Sequence, residues 1–268
     1  MKRVKKKRIL KGSLSDLVEK FSQQNIVEEI EKRYQNSPAR LIPIAQIDDT
    51  HFISGVAIPE ETIEYFATRL KEKGFYSPLV VRPKENGRYE IILGRKRFYG
   101  AMRAGHASLP CAIEEVEDEE MLLMLLADTR DQREANVIEL AVVCRHLQHD
   151  FGYTQETLAE LTHQSRCQIS NILRVLNLPE ELLRDICLQK LSYGHGRALT
   201  SLPPEDAIAL AKRIEEEKIS VRECEKIVRK IKGEASRPPY EIEEDGLVLT
   251  IRFQNEEELA KFKQTKLD

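Results

Sequence analysis

Apolar positions recur along this chain with two periods, and the change of period divides it. "LIPIAQI" (41–47), "PLVVRP" (78–83) and "YEIIL" (89–93) are short aliphatic runs bounded by polar or turn residues, which predicts strands. Pro110 to Val116 predicts a further one. Between the first two runs, Ile63, Phe66, Ala67 and Leu70 stand at i, i+3, i+4 and i+7. That is one helix face, which Pro59 can open and Gly74 can close. Asn86-Gly87 is a hairpin signal between the second and third strands. After Leu93 come Gly94, the cations Arg95, Lys96 and Arg97, and a helix that Gly105 stops.

From Glu119 the period becomes helical and stays so for about a hundred residues. "DEEMLLMLLADTR", "VIELAVVCRHLQHDF", "LPEELLRDI", "PPEDAIALAKRI" and "SVRECEKIVRKI" carry it. "KGEASRPPY" is linker-like, and "YEIEEDGLVLTIRF" then predicts a hairpin around Asp245-Gly246. Asn255 with Glu258 is a capping-box-like start to a last short helix.

The fold class expected is α+β: a small mixed α/β N-terminal domain, an all-helical middle domain with a helix-turn-helix, and a short C-terminal β-hairpin and helix. The boundaries read as 1–38 for a basic mobile tail and helix, 39–118 for the α/β domain and 119–232 for the helical domain. Residues 233–240 form the linker and 241–268 a C-terminal segment. That last segment is too small to be stable alone and needs a partner, either the rest of the chain or a second copy.

Composition narrows the function classes only a little. The formal net charge of −3 over 268 residues neither demands nor excludes a polyanionic partner, so charge placement decides. Cations crowd the N-terminus at Lys2, Arg3, Lys5, Lys6, Lys7, Arg8 and Lys11. No apolar stretch follows them that would make a signal peptide, and no run reaches membrane-spanning length. Cys111, Cys144, Cys167, Cys187 and Cys224 form no C-x-x-C pair, so neither a disulfide framework nor a zinc site is expected. A soluble, cytoplasmic protein with reduced thiols is expected.

The most informative stretch is "TQETLAELTHQSRCQISNILRVLNLP", Thr154 to Pro179. Thr154 can cap a first helix bearing Leu158, Ala159 and Leu161, with Ala159 small where two helices cross. "THQ" makes a short turn, with His163 where glycine is usual; histidine tolerates a left-handed backbone better than most residues. Ser165 and Gln168 form a capping box for a second helix, whose apolar positions are Ile169, Ile172, Leu173 and Leu176. Arg166, Gln168, Ser170, Asn171 and Arg174 are left for base edges and phosphates, as a recognition helix requires. An ordinary helical hairpin is the alternative.

Three stretches together resemble ParB-type partition proteins, over about Leu41 to Ile231. "ILGRKRFYGAMRAGHASLPCAI" is similar to the family's arginine-rich box, "YTQETLAELTHQSRCQISNILRVLNLP" to its helix-turn-helix, and "LSYGHGRALTSL" to its Leu-Ser-x-Gly-His-x-Arg-Ala-Leu element. The resemblance implies a homodimer on a palindromic, centromere-like DNA site. It also implies a clamp that binds and slowly hydrolyses CTP with Mg²⁺, a ParA-type ATPase partner addressed by the basic tail, and a C-terminal dimerisation segment. It adds Thr154, Gln155, Ser165, His195 and Arg197 to the DNA-binding residues. For the nucleotide it implies Gly94, Lys96 and Arg97 at a helix start, where free N–H groups already favour an anion. Asp128, on the metal side, and Arg133 join them; no catalytic residue is implied.

The sequence departs from the family in three places. Arg95 stands where glutamate is usual, "DDTHFISGVAIP" lacks the usual Pro-Arg stretch, and "ADTRDQREANVIELA" keeps Asn136 and Glu139 with its spacing off by one. The competing functions are chromosome or plasmid segregation, nucleoid occlusion or transcriptional regulation, a ParB-fold kinase or nuclease, and a dimerisation adaptor. No nucleophile–base pair or metal-spaced carboxylate cluster supports the enzyme.

Overall fold

The protein is described by a computed structural model, which covers residues 20–21, 39–131, 136–232, 240–245 and 248–253. The basic tail, most of the amphipathic stretch Leu14 to Ile30, linker residues 233–239, Arg133, Gly246 and the last helix at Asn255 lie outside the described residues.

The N-terminal unit is a five-stranded sheet with two helices. Its strands are β1 (Arg40–Pro43), β2 (Ile47–Asp48), β3 (Leu79–Pro83), β4 (Tyr89–Leu93) and β5 (Ser108–Ile113). Its helices are α1 (Glu60–Lys73) and α2 (Arg95–Ala104). The single strand expected over "LIPIAQI" is in fact two, parted by a 3-10 turn at Ile44–Gln46. Pro43 has no N–H to continue a ladder. The spatial order is β1-β5-β3-β4-β2, so these two neighbours in sequence sit at opposite edges. Five flat strands would put those edges roughly 19 Å apart, further than the short turn reaches, so the sheet must curl.

The hairpin at Asn86-Gly87 forms, with β3 and β4 antiparallel and Gly87 at φ 74°. Helix α1 ends at Gly74 and α2 at Gly105, both with positive φ, as the pattern predicted. "LVV" and "YEIIL" are unbroken rather than alternating because both sheet faces are covered. Leu79, Val81 and Ile91 face Leu70, Phe98 and Ala101 of α1 and α2. Val80, Ile92 and Leu93 instead join the core of the helical unit with Met121, Leu122 and Leu125. The apolar core is therefore continuous across residue 118.

The helical unit comprises α3 (Asp118–Asp131), α4 (Val137–Phe151), α5 (Gln155–Thr162), α6 (Arg166–Val175), α7 (Glu180–Cys187), α8 (Tyr193–Leu199), α9 (Pro204–Glu217) and α10 (Val221–Ile231). Helix α8 contains two glycines and forms where propensity opposes it. Ser192 caps it, and both glycines sit at close approaches. A Cβ at Gly196 would meet Ile186 Cδ1 at 2.6 Å, and one at Gly194 would meet the Val221 methyls at 3.0 Å. Residues Tyr240–Asp245 (β6) and Val248–Phe253 (β7) pair antiparallel, the expected C-terminal hairpin. Among the described residues no helix is long and apolar enough to cross a membrane. Four cysteines are buried and Cys167, on α6, is exposed; burial pushes the Cys111 and Cys144 thiols up to about 12.

Candidate nucleic-acid interface and anion site

The two helices of the expected helix-turn-helix are α5 and α6. Thr154 Oγ1 accepts from Thr157 N at 3.1 Å, and His163 turns the chain at φ 54°, ψ 36°. Ser165 Oγ accepts from Gln168 N, and Gln168 Oε1 accepts from Ser165 N at 2.8 Å, a complete capping box. Ile169, Ile172, Val175 and Leu176 are buried beneath α6 and Leu173 is partly so. The opposite face carries exposed Arg166, Gln168 and Arg174 and half-buried Ser170 and Asn171. Arg166 Nε pairs with Glu156 Oε1 at 3.0 Å, tying the start of α6 to α5. Gln155 is half-buried at the start of α5.

An open groove joins the C-terminal half of α6 to α8 and α10. Asn171, Arg174, Arg197, Ser201, Arg229 and Lys232 line it, with Glu225 on one wall. The structure thus brings Asn171, Arg174 and Arg197 together. Arg229 and Lys232 were not among the expected residues; their signal was the basic end of "VRECEKIVRKIK", next to the buried Val228 rather than opposite it. His195 is engaged inside the protein. Its Nε2 lies 3.1 Å from the Ile219 carbonyl oxygen, and its Nδ1 lies 3.0 Å from Ser192 Oγ. This geometry suits an Nε2–H donating to the carbonyl, and it pins α8 to the turn before α10.

The cations after Gly94 have two different placements. Arg95 is buried: its Nε donates to Asp49 at 2.9 and 3.0 Å, its Nη1 to Glu139 Oε1 at 2.9 Å, and its Nη2 to the Val56 carbonyl at 2.8 Å. Tyr99 Oη donates to the same Asp49. Arg95 therefore bolts the loop after β2 to α4. Burial pushes the Glu139 carboxyl above its ordinary range, while the Arg95 charge pulls it back.

Arg97 is also buried and donates to the Ser77 carbonyl at 2.8 Å, with its guanidinium over the Tyr76 ring. Beside it is a cleft of about 100 Å³ lined by Phe66, Arg69, Leu70, Lys73, Gly74, Tyr76 and Arg97. Arg69 and Lys73, on the last turns of α1, are cations that the sequence pattern did not single out. Gly94, at φ 98°, is needed by the fold: a Cβ there would meet Leu79 Cδ2 at 2.4 Å. No side chain caps the N-terminus of α2. Lys96 is half-buried there, and Asp128 is half-buried on α3. Among the described residues no group of three or more His, Cys, Asp or Glu side chains is placed to hold a metal ion.

Comparison with known proteins comes down on the same two units. The family profile for the ParB N-terminal domain matches residues 27–129, and that for the ParB HTH domain matches 133–233. The "Probable chromosome-partitioning protein ParB" of Campylobacter jejuni is 32% identical over 232 residues, 87% of this chain and 82% of that one. The "Chromosome-partitioning protein ParB" of Caulobacter vibrioides is 34% identical over 188 residues, 67% of this chain and 61% of its own length. The Vibrio cholerae relative is 32% identical over 66% of this chain and 60% of its own length. The chain thus spans less than two thirds of the length of several curated relatives. A crystal structure of the C-terminally truncated ParB of Caulobacter crescentus, complexed to the centromeric parS site, is 31% identical at a TM-score of 0.43. It covers 71% of this chain and 99% of that one.

Proposed function

The chain belongs to the ParB family, and we propose that it is a sequence-specific DNA-binding protein that partitions a chromosome or plasmid. It acts on double-stranded DNA as a homodimer at a palindromic, centromere-like site, and so resides with the nucleoid or plasmid. The observation that carries this reading is the groove in which Asn171 and Arg174 of α6 meet Arg197, Arg229 and Lys232. A helix fits the major groove, where Arg reads guanine and Asn reads adenine. Cations flanking such a helix meet phosphates and set its register. A two-stranded hairpin such as β6–β7 is marginal by itself, which supports a second copy as its partner. The basic segment Lys2 to Lys11 suits an acidic surface of a ParA-type ATPase.

We infer that the N-terminal unit also takes a nucleotide, CTP with Mg²⁺, held through its phosphate end. The fit is limited to that end: a cleft of about 100 Å³ takes a phosphate-sized group, and whole-ligand pockets are several times larger. Arg69 and Lys73, which line that cleft with Arg97, would supply positive charge to the phosphates. Arg95 and Arg97 would hold the surrounding loops.

Selection from a random duplex pool tests the DNA reading, with parS, the site named in the Caulobacter complex, as a second probe. Enrichment of a palindrome bound by two protomers is expected; a pool without enrichment overturns it. Deleting residues 1–11 should leave DNA binding intact and abolish stimulation of a cognate ATPase.

A further inference from the structure

The groove between α6, α8 and α10 contains one residue that a surface built for DNA should avoid. Glu225, in the middle of α10, lines it together with Asn171, Arg174, Arg197, Arg229 and Lys232. It accepts from Arg197 Nη2 at 2.7 Å, and both side chains are partly exposed.

The pair does little for the fold. Partly exposed ion pairs contribute little stability. Helix α8 is already held to α10 by the Gly194–Val221 contact and to the turn before it by the His195–Ile219 hydrogen bond, with Cys224 and Val228 buried under α10. A carboxylate facing a polyanion weakens attraction to every phosphate alike. Its compensation lies in what it does to Arg197. Left alone, a guanidinium on this surface takes whatever phosphate is nearest, on any sequence. Held by Glu225, its fork is kept in one orientation and is released only where a ligand offers better geometry than a carboxylate.

We propose that Glu225 is a specificity-determining residue that acts by positioning Arg197, suppressing binding to non-cognate DNA more than to the cognate site. This rests on the groove being the DNA-binding face. A neutral amide at 225 keeps the shape and loses most of the hold on Arg197.

The test is a fluorescence-anisotropy titration of the full chain with a selected duplex and with its scrambled counterpart, over a range of salt. Wild type, Glu225→Gln, Arg197→Ala and the double variant are compared, with circular dichroism to confirm folding. Glu225→Gln is expected to tighten scrambled-duplex binding about 3- to 10-fold and cognate binding less, so the ratio of the two affinities falls. The salt slope on scrambled DNA should steepen by about one, the increment for one more phosphate contact. In the Arg197→Ala background the same substitution should leave the ratio unchanged. An unchanged ratio and slope in Glu225→Gln, or an equal fall in the Arg197→Ala background, overturns the proposal. If wild type does not tell the selected duplex from the scrambled one, it is the DNA reading itself that fails.

Discussion

Arg95→Met removes a guanidinium and keeps much of the side chain's length. In the folded protein that guanidinium holds Asp49, Glu139 and the Val56 carbonyl, all in a poorly solvated junction between the sheet unit and α4. Without it two carboxylates remain with their strongest counter-charge gone. Removing one partner of a buried ion pair typically costs about 3–5 kcal/mol, so a loss of about 3 kcal/mol or more is expected near neutral pH.

The pH dependence gives an independent sign. The folded-state pKa of Glu139 is raised by burial and partly restrained by Arg95. In the variant the restraint is gone, so the carboxyl rises further and the folded protein binds a proton that the unfolded chain does not. Stability then recovers as pH falls toward the ordinary carboxylate range and is lost as pH rises through the raised value. The chain has no tryptophan, so urea unfolding is followed by far-ultraviolet circular dichroism at about pH 7 and about pH 5. A loss below about 1 kcal/mol near neutrality, or a deficit no smaller at the lower pH, refutes the reasoning.

Three further outcomes follow from single contacts. Gly100→Ala places a Cβ 2.5 Å from Phe66 Cβ and 3.0 Å from the Ala67 backbone nitrogen. It should destabilise the N-terminal unit by about 1–3 kcal/mol in the same unfolding assay. Ser165→Ala removes the acceptor for Gln168 N and should cost about 1 kcal/mol of stability, with weaker DNA binding by titration. Lys73→Ala should lower affinity for CTP in calorimetric titration if the cleft beside Arg97 takes phosphate, while leaving binding to the selected duplex unchanged.

What the sequence makes legible is local. Thr154, His163 and the Ser165–Gln168 box each act within four residues of themselves, and all three appear in the predicted geometry. Gly74 and Gly105 stop their helices for the same reason. What it hides is set by distant partners. The cations after Gly94 look like an anion site from the sequence. The groups that meet Arg95 come from residues 49, 56 and 139, and those that meet Arg97 come from the turn at 77 and 78. No spacing rule connects them. The break at Pro43 was visible as a proline, yet the separation of β1 from β2 depends on which strands pair across the curled sheet. Arg229 and Lys232 look like the polar face of any amphipathic helix until the fold sets them beside α6.

If the face of α6, with the groove behind it, reads DNA sequence, single substitutions there change discrimination between duplexes. The most direct test titrates a selected palindromic duplex and a scrambled one with wild type, Asn171→Ala and Arg174→Ala across a salt series. Wild type should prefer the selected duplex by on the order of 10³ or more. Asn171→Ala should lose about 1–3 kcal/mol of that discrimination. Arg174→Ala should weaken both duplexes and reduce the salt slope by about one. Unchanged affinity, preference and salt slope in both variants would contradict the account.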